Sequence, residues 1–157
     1  MTTPQRVEAD LGWALHQVTR AHIKIVEQVL SGIPGGPRGY QVLAAADEGT
    51  PTQLALARKL GLDRTVMTYL LDELVTEGLV ERRPDPADRR ARQIHLTVAG
   101  RAQLCDLERR LREVEEHLLA PLEAAERDQL RELLARLATT VQVEGNACQV
   151  AEDIKRA

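Results

Sequence analysis

The sequence is poor in aromatic residues, which make up 2% of its 157 residues and include no phenylalanine. A core built without aromatic rings has to rely on leucine, valine and alanine, and this mixture favours packed helices over a β-sandwich. No apolar run reaches the ~18 residues of a membrane span, and the opening MTTPQRVEAD lacks the apolar centre of a signal peptide. We therefore expect a cytoplasmic protein that does not contact a membrane.

Cysteine and histidine are also scarce. Cys105 and Cys148 are too few for a disulfide framework and form no CxxC pair, so we interpret them as reduced thiols. The four histidines show no spacing typical of a metal site. Glycine-rich phosphate loops and the GxSxG and HExxH motifs are missing as well. The sequence therefore predicts no metal, no cofactor and no enzymatic activity.

The length and the 43% hydrophobic content fit one domain over residues 1–157. Apolar residues recur at spacings of three and four from Leu11 to Val29, which predicts a long first helix over about 5–31. Thr3 and Pro4 are its start signal, and Ser31 with Gly32 is its stop signal. Because the apolar stripe nearly follows a heptad, we expect part of this helix to pack against another chain.

The centre of the chain predicts a helix-turn-helix. After a loop at 32–37, a short helix is expected from Tyr40 to Ala46. Thr52 caps the next helix, TQLALARKL, and Asp63 caps a helix from Arg64 to about Glu77. Gly61 supplies the turn between these two helices, and Gly78 ends the second, since glycine adopts a left-handed conformation at low cost. Two short helices around a tight glycine turn are typical of this motif.

The second of these helices has two unlike faces. Its buried side is expected to hold Val66, Met67, Leu70, Leu71, Leu74 and Val75. Polar residues recur at helical spacing on the opposite side, at Thr65, Thr68, Tyr69 and Asp72. One face therefore packs, and the other is available to a partner.

A basic β-hairpin is expected next. Alternating side chains at Leu79–Val80 and Ile94–Leu96 bracket the loop PDPADRRA. Six arginines and three acidic residues lie between residues 81 and 101, although the whole chain carries a net charge of -3. A helix-turn-helix followed by a basic hairpin is a winged helix, in which a helix fits the major groove of duplex DNA and arginines of the hairpin reach the minor groove.

Two further helices complete the predicted fold. Thr97 caps a connecting helix over about 98–119, and Pro121 ends or kinks it. The last helix, about 120–145, carries Leu130, Leu133, Leu134, Leu137 and Val141 and fades at Gly145, leaving a tail at 146–157. The predicted fold class is mainly α with a small β-hairpin wing, a winged helix-turn-helix with long terminal helices.

The run LARKLGLDRTVMTYLLDELVTEGLVERRPDPADRRARQIHLTVAG resembles the MarR (multiple antibiotic resistance regulator) family, and DPADRRARQIHLT is its most specific part. The resemblance implies a homodimer held by the first and last helices, at about 5–31 and 120–145. Each winged helix, at about 38–97, would bind half of a pseudo-palindromic operator in double-stranded DNA. It further implies a transcriptional regulator, a repressor released by a small aromatic or phenolic ligand.

The family's DNA-binding roles fall on two groups of residues in this sequence. At the hairpin tip, Arg90 would enter the minor groove, Asp88 would brace it and Arg89 would bind phosphate. The helix face would contact bases and phosphates through Arg64, Thr65, Thr68 and Tyr69, with Arg58 and Lys59 nearer the DNA backbone.

The resemblance also implies an effector cleft between the dimerisation helices and the winged helix. Trp13 and His16 on the first helix and Arg38 and Tyr40 at the second are the candidates, because flat rings and a guanidinium group suit an aromatic acid. The alternative is that Trp13 packs at the dimer interface and His16 lies at the surface. His22, on the apolar stripe, is interpreted as a core or interface histidine.

Two other functions are kept as alternatives. Winged helices also serve as protein-docking modules without DNA binding, and a run of arginines is often only a solvated surface. A redox-responsive regulator that acts through Cys105 is the second alternative.

Overall fold

The computed structural model describes residues 10–140. The predicted start signal at Thr3 and Pro4, Val141, Cys148, the end of the last helix near Gly145 and the tail lie outside the described residues. The described elements are α1 (Leu11–Leu30), α2 (Pro37–Glu48), α3 (Gln53–Lys59), α4 (Arg64–Thr76), β1 (Val80–Pro84), β2 (Arg92–Leu96), α5 (Val98–Leu118) and α6 (Ala124–Thr140). Their order confirms the predicted fold class of a mainly helical chain with one hairpin.

The chain divides into two compact units between Leu118 and Leu119. The first unit contains α1 to α5 and the hairpin, and the second contains α6. No side chain of α6 is buried. The single domain expected over 1–157 stays a prediction.

Helices α3, α4 and α5 each start at the polar cap that the sequence predicts. The Thr52 hydroxyl accepts a hydrogen bond from the Ala55 amide at 3.2 Å. The Asp63 carboxylate accepts from the amides of Thr65 and Val66, both at 2.9 Å. The Thr97 hydroxyl accepts from the Gly100 amide at 2.9 Å. These caps satisfy amides that a helix start leaves without partners, so they fix the beginnings of α3, α4 and α5.

The core of the first unit is aliphatic, as the composition predicts. Its buried side chains come from α1 to α5, from the hairpin and from the α1–α2 connection. The largest are Leu30, Leu43, Leu56, Met67, Leu71, Leu74, Ile94 and Leu107. Among residues 10–140 no polar or charged residue is fully buried. Apolar burial is therefore the main force that holds these elements together.

The hairpin is anchored to the helical core at both of its ends. β1 and β2 pair antiparallel, with Val80 opposite Leu96. The Ile94 amide donates to the Pro51 carbonyl at 2.9 Å, which ties β2 to the chain before α3. The Leu79 carbonyl accepts from the Thr97 amide at 3.1 Å and from the Thr97 hydroxyl at 3.0 Å. The base of the hairpin is thus fixed to the start of α5.

Three sequence predictions were wrong in detail. The first helix, expected over about 5–31, begins at Leu11, because the Asp10 carboxylate caps it by accepting from the Gly12 amide at 3.0 Å. The second helix begins at Pro37 rather than Tyr40 and ends at Glu48 rather than Ala46. Proline suits the first helical position because that position needs no amide donor, so the predicted loop at 32–37 ends one residue earlier. Val66 and Val75 were expected on the buried side of α4 but are 39% and 36% exposed. The buried stripe is narrower because Met67, Leu70, Leu71 and Leu74 already fill the contact with the core.

Gly100 is required where α5 meets the base of the hairpin. A β-carbon at this position would overlap the Leu79 carbonyl oxygen and would approach Leu96 Cδ1 to 2.8 Å. We expect Gly100→Ala to lower the free energy of unfolding by about 1–3 kcal/mol, since a rigid backbone group has to move. Urea denaturation at fixed protein concentration measures the change.

Gly12→Ala is the matched control. A β-carbon there would lie 3.6 Å from the Asp10 carboxylate, an ordinary contact on an exposed helix. Alanine should stabilise α1 by up to about 1 kcal/mol, because glycine loses more backbone freedom on folding. If both variants changed the stability in the same direction, the close approach at Gly100 would not be the cause.

Candidate nucleic-acid interface and cleft

The residues that α4 buries in the core determine which of its residues face outward. Because Met67, Leu71 and Leu74 point into the core, the rotation of the helix is fixed and Arg64, Thr65 and Tyr69 are exposed. Tyr69 keeps 68% of its surface accessible. These three side chains are free to contact a partner, as the sequence predicts.

The N-terminus of α4 presents side chains rather than free amides. The Asp63 carboxylate occupies the amides of Thr65 and Val66. Contacts to an anion at this end therefore depend on the guanidinium group of Arg64, which has no side-chain partner within residues 10–140. Arg58 on α3 is likewise exposed, whereas Lys59 lies 3.4 Å from Glu48 Oε2.

Thr68 differs from its neighbours on this face because its hydroxyl is engaged within the chain. Thr68 Oγ1 donates to the Arg64 carbonyl at 2.8 Å and accepts from Gln53 Nε2 at 2.8 Å. The residue is half-buried. This contact joins the first residue of α3 to α4, and Gln53 is therefore a positioning residue that the sequence analysis missed. No sequence signal pairs two residues fifteen positions apart across a turn.

Arg82 of the hairpin faces α4. Arg82 Nη1 lies 2.6 Å from Asp72 Oδ1, and Arg82 Nη2 donates to the Thr68 carbonyl at 3.4 Å. Arg82 Nε is buried and has no hydrogen-bond partner in the described chain. The Asp72 carboxylate, expected on the face open to a partner, therefore binds the hairpin. The two elements that make up the predicted interface are fixed to each other by this ion pair.

Two aspartates shape the hairpin tip. Asp85 Oδ1 accepts from the Ala87 amide at 2.8 Å, and Asp88 Oδ1 accepts from the Arg90 amide at 2.9 Å. The Asp85 amide also donates to the Ala91 carbonyl at 3.2 Å. Asp88 thus contacts the backbone of Arg90 and leaves its guanidinium group unbound. Such side-chain turns hold a loop in one shape.

The arginines between residues 81 and 101 fall into two groups. Four bind within the chain: Arg82 pairs with Asp72, Arg83 with Glu81 and Arg101 with Asp47, while Arg92 donates to the carbonyls of Arg89 and Ala91. The other two, Arg89 and Arg90, are exposed, and their guanidinium groups have no partner in the described part of the chain. The free positive charge of the hairpin is therefore concentrated at its tip.

A separate cleft of about 580 Å³ opens between α1, α2 and α5. It is lined by His22, Val26, Leu30, Pro37, Tyr40, Gln41, Glu108, Leu111, Arg112 and Glu115. Of the four residues that the sequence suggested for a ligand, Tyr40 lines this cleft, whereas Trp13, His16 and Arg38 do not. His22, interpreted as a core or interface residue, is exposed at the cleft.

The phenol of Tyr40 is held in its neutral form. Burial raises the pKa of Tyr40, and the negative charge of Glu108 raises this pKa further, while the positive charge of Arg112 opposes the rise. The hydroxyl group therefore acts as a hydrogen-bond donor and acceptor in the cleft.

Other kinds of site are not observed in the part of the chain that the structure describes. No cluster of three or more histidine, cysteine or carboxylate side chains is arranged to hold a metal ion among residues 10–140. No helix in this range is both long and apolar enough to cross a membrane. Cys105 is an exposed, free thiol on α5.

A helix-turn-helix joined to a basic antiparallel hairpin defines a winged-helix protein. The sequence pattern of the MarR family matches residues 40–91. A probable transcriptional regulator from Pseudomonas aeruginosa is 30% identical, with a TM-score of 0.62 over 84% of this chain and 99% of its own. Wild-type MarR from E. coli, in its apo form, is 28% identical, with a TM-score of 0.68 over 82% of this chain and 96% of its own.

A third similar structure contains DNA. The transcriptional repressor CouR bound to a 23-mer DNA duplex is 27% identical, with a TM-score of 0.67 over 88% of this chain and 99% of its own. The chain described here belongs to the MarR family of winged-helix transcriptional regulators.

The ion pair between Arg82 and Asp72 should contribute to stability more than its exposed neighbour does. Only 26% of the Arg82 side chain is accessible, and its guanidinium group also donates a hydrogen bond to the Thr68 carbonyl. In a double-mutant cycle with Arg82→Met and Asp72→Asn, we expect a coupling of about 1 kcal/mol in the free energy of unfolding.

The pair between Arg83 and Glu81 is the matched control, since its side chains are 58% and 45% accessible. Its cycle, with Arg83→Met and Glu81→Gln, should give a coupling below about 0.5 kcal/mol because solvent screens exposed charges. Equal couplings for the two pairs in urea denaturation would contradict a special role for Arg82.

Proposed function

We propose that this chain is a repressor that binds double-stranded DNA, with α4 in the major groove and the hairpin tip in the adjacent minor groove. The observation that carries this proposal is the state of the hairpin arginines. Four of them bind within the chain, while Arg89 and Arg90 project from a tip that Asp85 and Asp88 hold in shape. A narrow minor groove concentrates negative potential and attracts an arginine that is free to enter it.

On α4, Arg64, Thr65 and Tyr69 are the groups we assign to the major groove. A guanidinium group and hydroxyl groups reach phosphate oxygens and base edges. Thr68 has one lone pair left after its contacts with Arg64 and Gln53, so its main contribution is to hold α3 and α4 in register. Arg58, exposed near the C-terminus of α3, is assigned to the phosphate backbone.

A homodimer is the assembly that fits the surface of α1. Apolar side chains along this helix are exposed, among them Leu11 at 71%, Val18 at 53% and Leu15 at 46%. On α6, Leu133, Leu134 and Leu137 are exposed as well. Extended apolar surfaces of this kind are normally covered by a partner, and a second copy places two winged helices on one duplex.

The cleft beside Tyr40 is the place where we propose that a small aromatic ligand acts. It is lined by α1, which carries the exposed apolar surface, and by α2 and α5, which pack against the winged-helix core. A ligand that binds one arrangement of these helices better than another shifts the dimer away from the DNA-binding arrangement. The size of the effect equals its difference in affinity for the two arrangements.

Removal of the Arg90 side chain tests the DNA-binding function. We expect Arg90→Ala to weaken binding to the intergenic DNA beside its own gene by about 1–3 kcal/mol, or roughly 5- to 150-fold, without a loss of stability. Because a dimer of this variant brings two fewer positive charges to the DNA, the slope of log affinity against log salt should fall in magnitude by about 1.8. Mobility-shift titrations at several salt concentrations measure both quantities, and the bound complex should contain two chains.

Arg109→Ala is the control, since Arg109 is an exposed cation on α5 that pairs with Asp106 and Glu113. Its affinity for the same DNA should match that of the unmodified protein. If neither the unmodified protein nor this control shifted that DNA at low salt, the proposed function would fail. If Arg90→Ala bound as tightly as both, only the minor-groove role would fail.

Asp88 allows a test of how the hairpin tip is held. Its carboxylate accepts from the Arg90 amide at 2.9 Å, and the oxygen of an asparagine side chain can accept the same bond. We expect Asp88→Asn to keep the DNA affinity and Asp88→Ala to lower it by about 0.5–2 kcal/mol, as for the loss of a helix cap. If the two variants weakened binding equally in mobility-shift titrations, the charge of Asp88 and not the turn would be what matters.

A further inference from the structure

The cleft beside Tyr40 combines an apolar floor with charges of both signs. Val26 and Leu30 of α1 and Leu111 of α5 supply aliphatic surface, and the ring of Tyr40 on α2 lies beside them. Glu108, Arg112 and Glu115 enter from α5. The apolar part suits a ring system of any charge, so the charged groups decide which ligands the cleft prefers.

Burial separates the carboxylate of Glu108 from the guanidinium group of Arg112. Glu108 is half-buried, whereas Arg112 is exposed. Within residues 10–140, Glu108 has neither a hydrogen bond nor an ion pair to its side chain, and it lies beyond ion-pair distance of Arg112. A charge away from water interacts more strongly with a ligand than an exposed charge does, because solvent screens it less. The negative group therefore dominates the inner part of the cleft.

The charges around the Tyr40 hydroxyl group also give a negative electrostatic potential in this part of the cleft. Burial is the largest cause of the raised pKa of Tyr40; among the charges that act on its hydroxyl group, the negative charge of Glu108 has a larger effect than the opposing positive charge of Arg112. The space between Glu108 and the Tyr40 hydroxyl is thus favourable to a positive charge.

We propose that the cleft binds a small aromatic cation, a ring system that carries a protonated amine. The ammonium group lies between the Glu108 carboxylate and the neutral Tyr40 hydroxyl, and the ring packs on Val26, Leu30 and Leu111. The cation satisfies a carboxylate that otherwise lacks a partner, which is the costly state of a partly buried charge.

An aromatic carboxylate fits this cleft less well. Arg38, which the sequence suggested as the partner of such a group, does not line the cleft. The cation that does line it, Arg112, is exposed, so its attraction is screened by water and salt. A carboxylate would also approach Glu108, whose like charge opposes it. The fold therefore favours ligands that are positively charged.

Three probes that share one ring system but differ in charge test which ligand charge the cleft prefers. We expect 2-naphthylmethylamine to bind the unmodified protein at least about tenfold more tightly than 2-naphthoate, with neutral 2-naphthylmethanol between them. Isothermal titration near neutral pH, in the absence of DNA, measures the three affinities. Changes in the NMR signals of Tyr40 and Leu111 show whether the amine occupies this cleft.

Two variants distinguish the effect of Glu108 on ligand affinity from the effect of the protein's overall negative charge. Glu108→Gln keeps the size of the side chain and should lower the affinity for the amine about tenfold, which removes its advantage over 2-naphthoate. Glu113→Gln removes one negative charge from the same helix outside the cleft and should leave the preference unchanged. The proposal is overturned if 2-naphthoate binds as tightly as the amine, if Glu108→Gln retains the preference, or if no probe binds.

The role of this ligand as an effector rests on the proposed function, whereas its binding does not. Probe titrations without DNA test the cleft, and mobility shifts without a probe test the DNA interface. A protein that binds the amine but no DNA would refute the proposed function alone. A protein that binds DNA but prefers 2-naphthoate would refute the sign of the ligand alone.

Discussion

Burial of the apolar stripe on α4 is the constraint on which the rest of the interface depends. Met67, Leu71 and Leu74 are inaccessible to solvent, so the helix cannot rotate about its axis without exposing them. The cost of exposing even one such side chain is about 1.5–3 kcal/mol. The direction in which Arg64 and Tyr69 point is therefore set by buried residues on the opposite side of the helix, which do not contact a binding partner themselves.

The hairpin is held by polar contacts in addition to the apolar burial of Val80 and Ile94. Its base is held by backbone hydrogen bonds to Pro51 and Thr97, and its strand β1 is held against α4 by Arg82. Four of the six arginines between residues 81 and 101 bind within the chain, which accounts for much of the arginine in a region of a chain whose net charge is -3. Some of these residues build the hairpin, and the free ones at its tip, Arg89 and Arg90, supply local positive charge. Local charge, more than net charge, determines how a surface meets DNA.

The sequence predicted the parts of the fold that depend on local chemistry. Thr52, Asp63 and Thr97 cap the helices that they were expected to cap, because a capping bond spans only two or three residues. The contacts that it missed join distant segments. Arg82 was counted with the other basic residues of the hairpin, and only the packing of β1 on α4 places it beside Asp72. For the same reason Tyr40 was named as a residue of the cleft but Glu108 was not, since the two are far apart in sequence and line one cleft only in the folded chain.

The signs of the two surfaces have a consequence for regulation if the chain binds both DNA and an aromatic cation. Phosphates are attracted to Arg89 and Arg90, and an aromatic carboxylate is attracted to the same free arginines. Such a ligand would compete with DNA at the hairpin as well as act in the cleft. A cation is repelled by the hairpin tip and attracted by Glu108, so it acts through the helices that line the cleft. Because the hairpin tip is positive and the cleft is negative, DNA and the cation bind at separate places. The two binding events are then coupled only through the change in the arrangement of the helices.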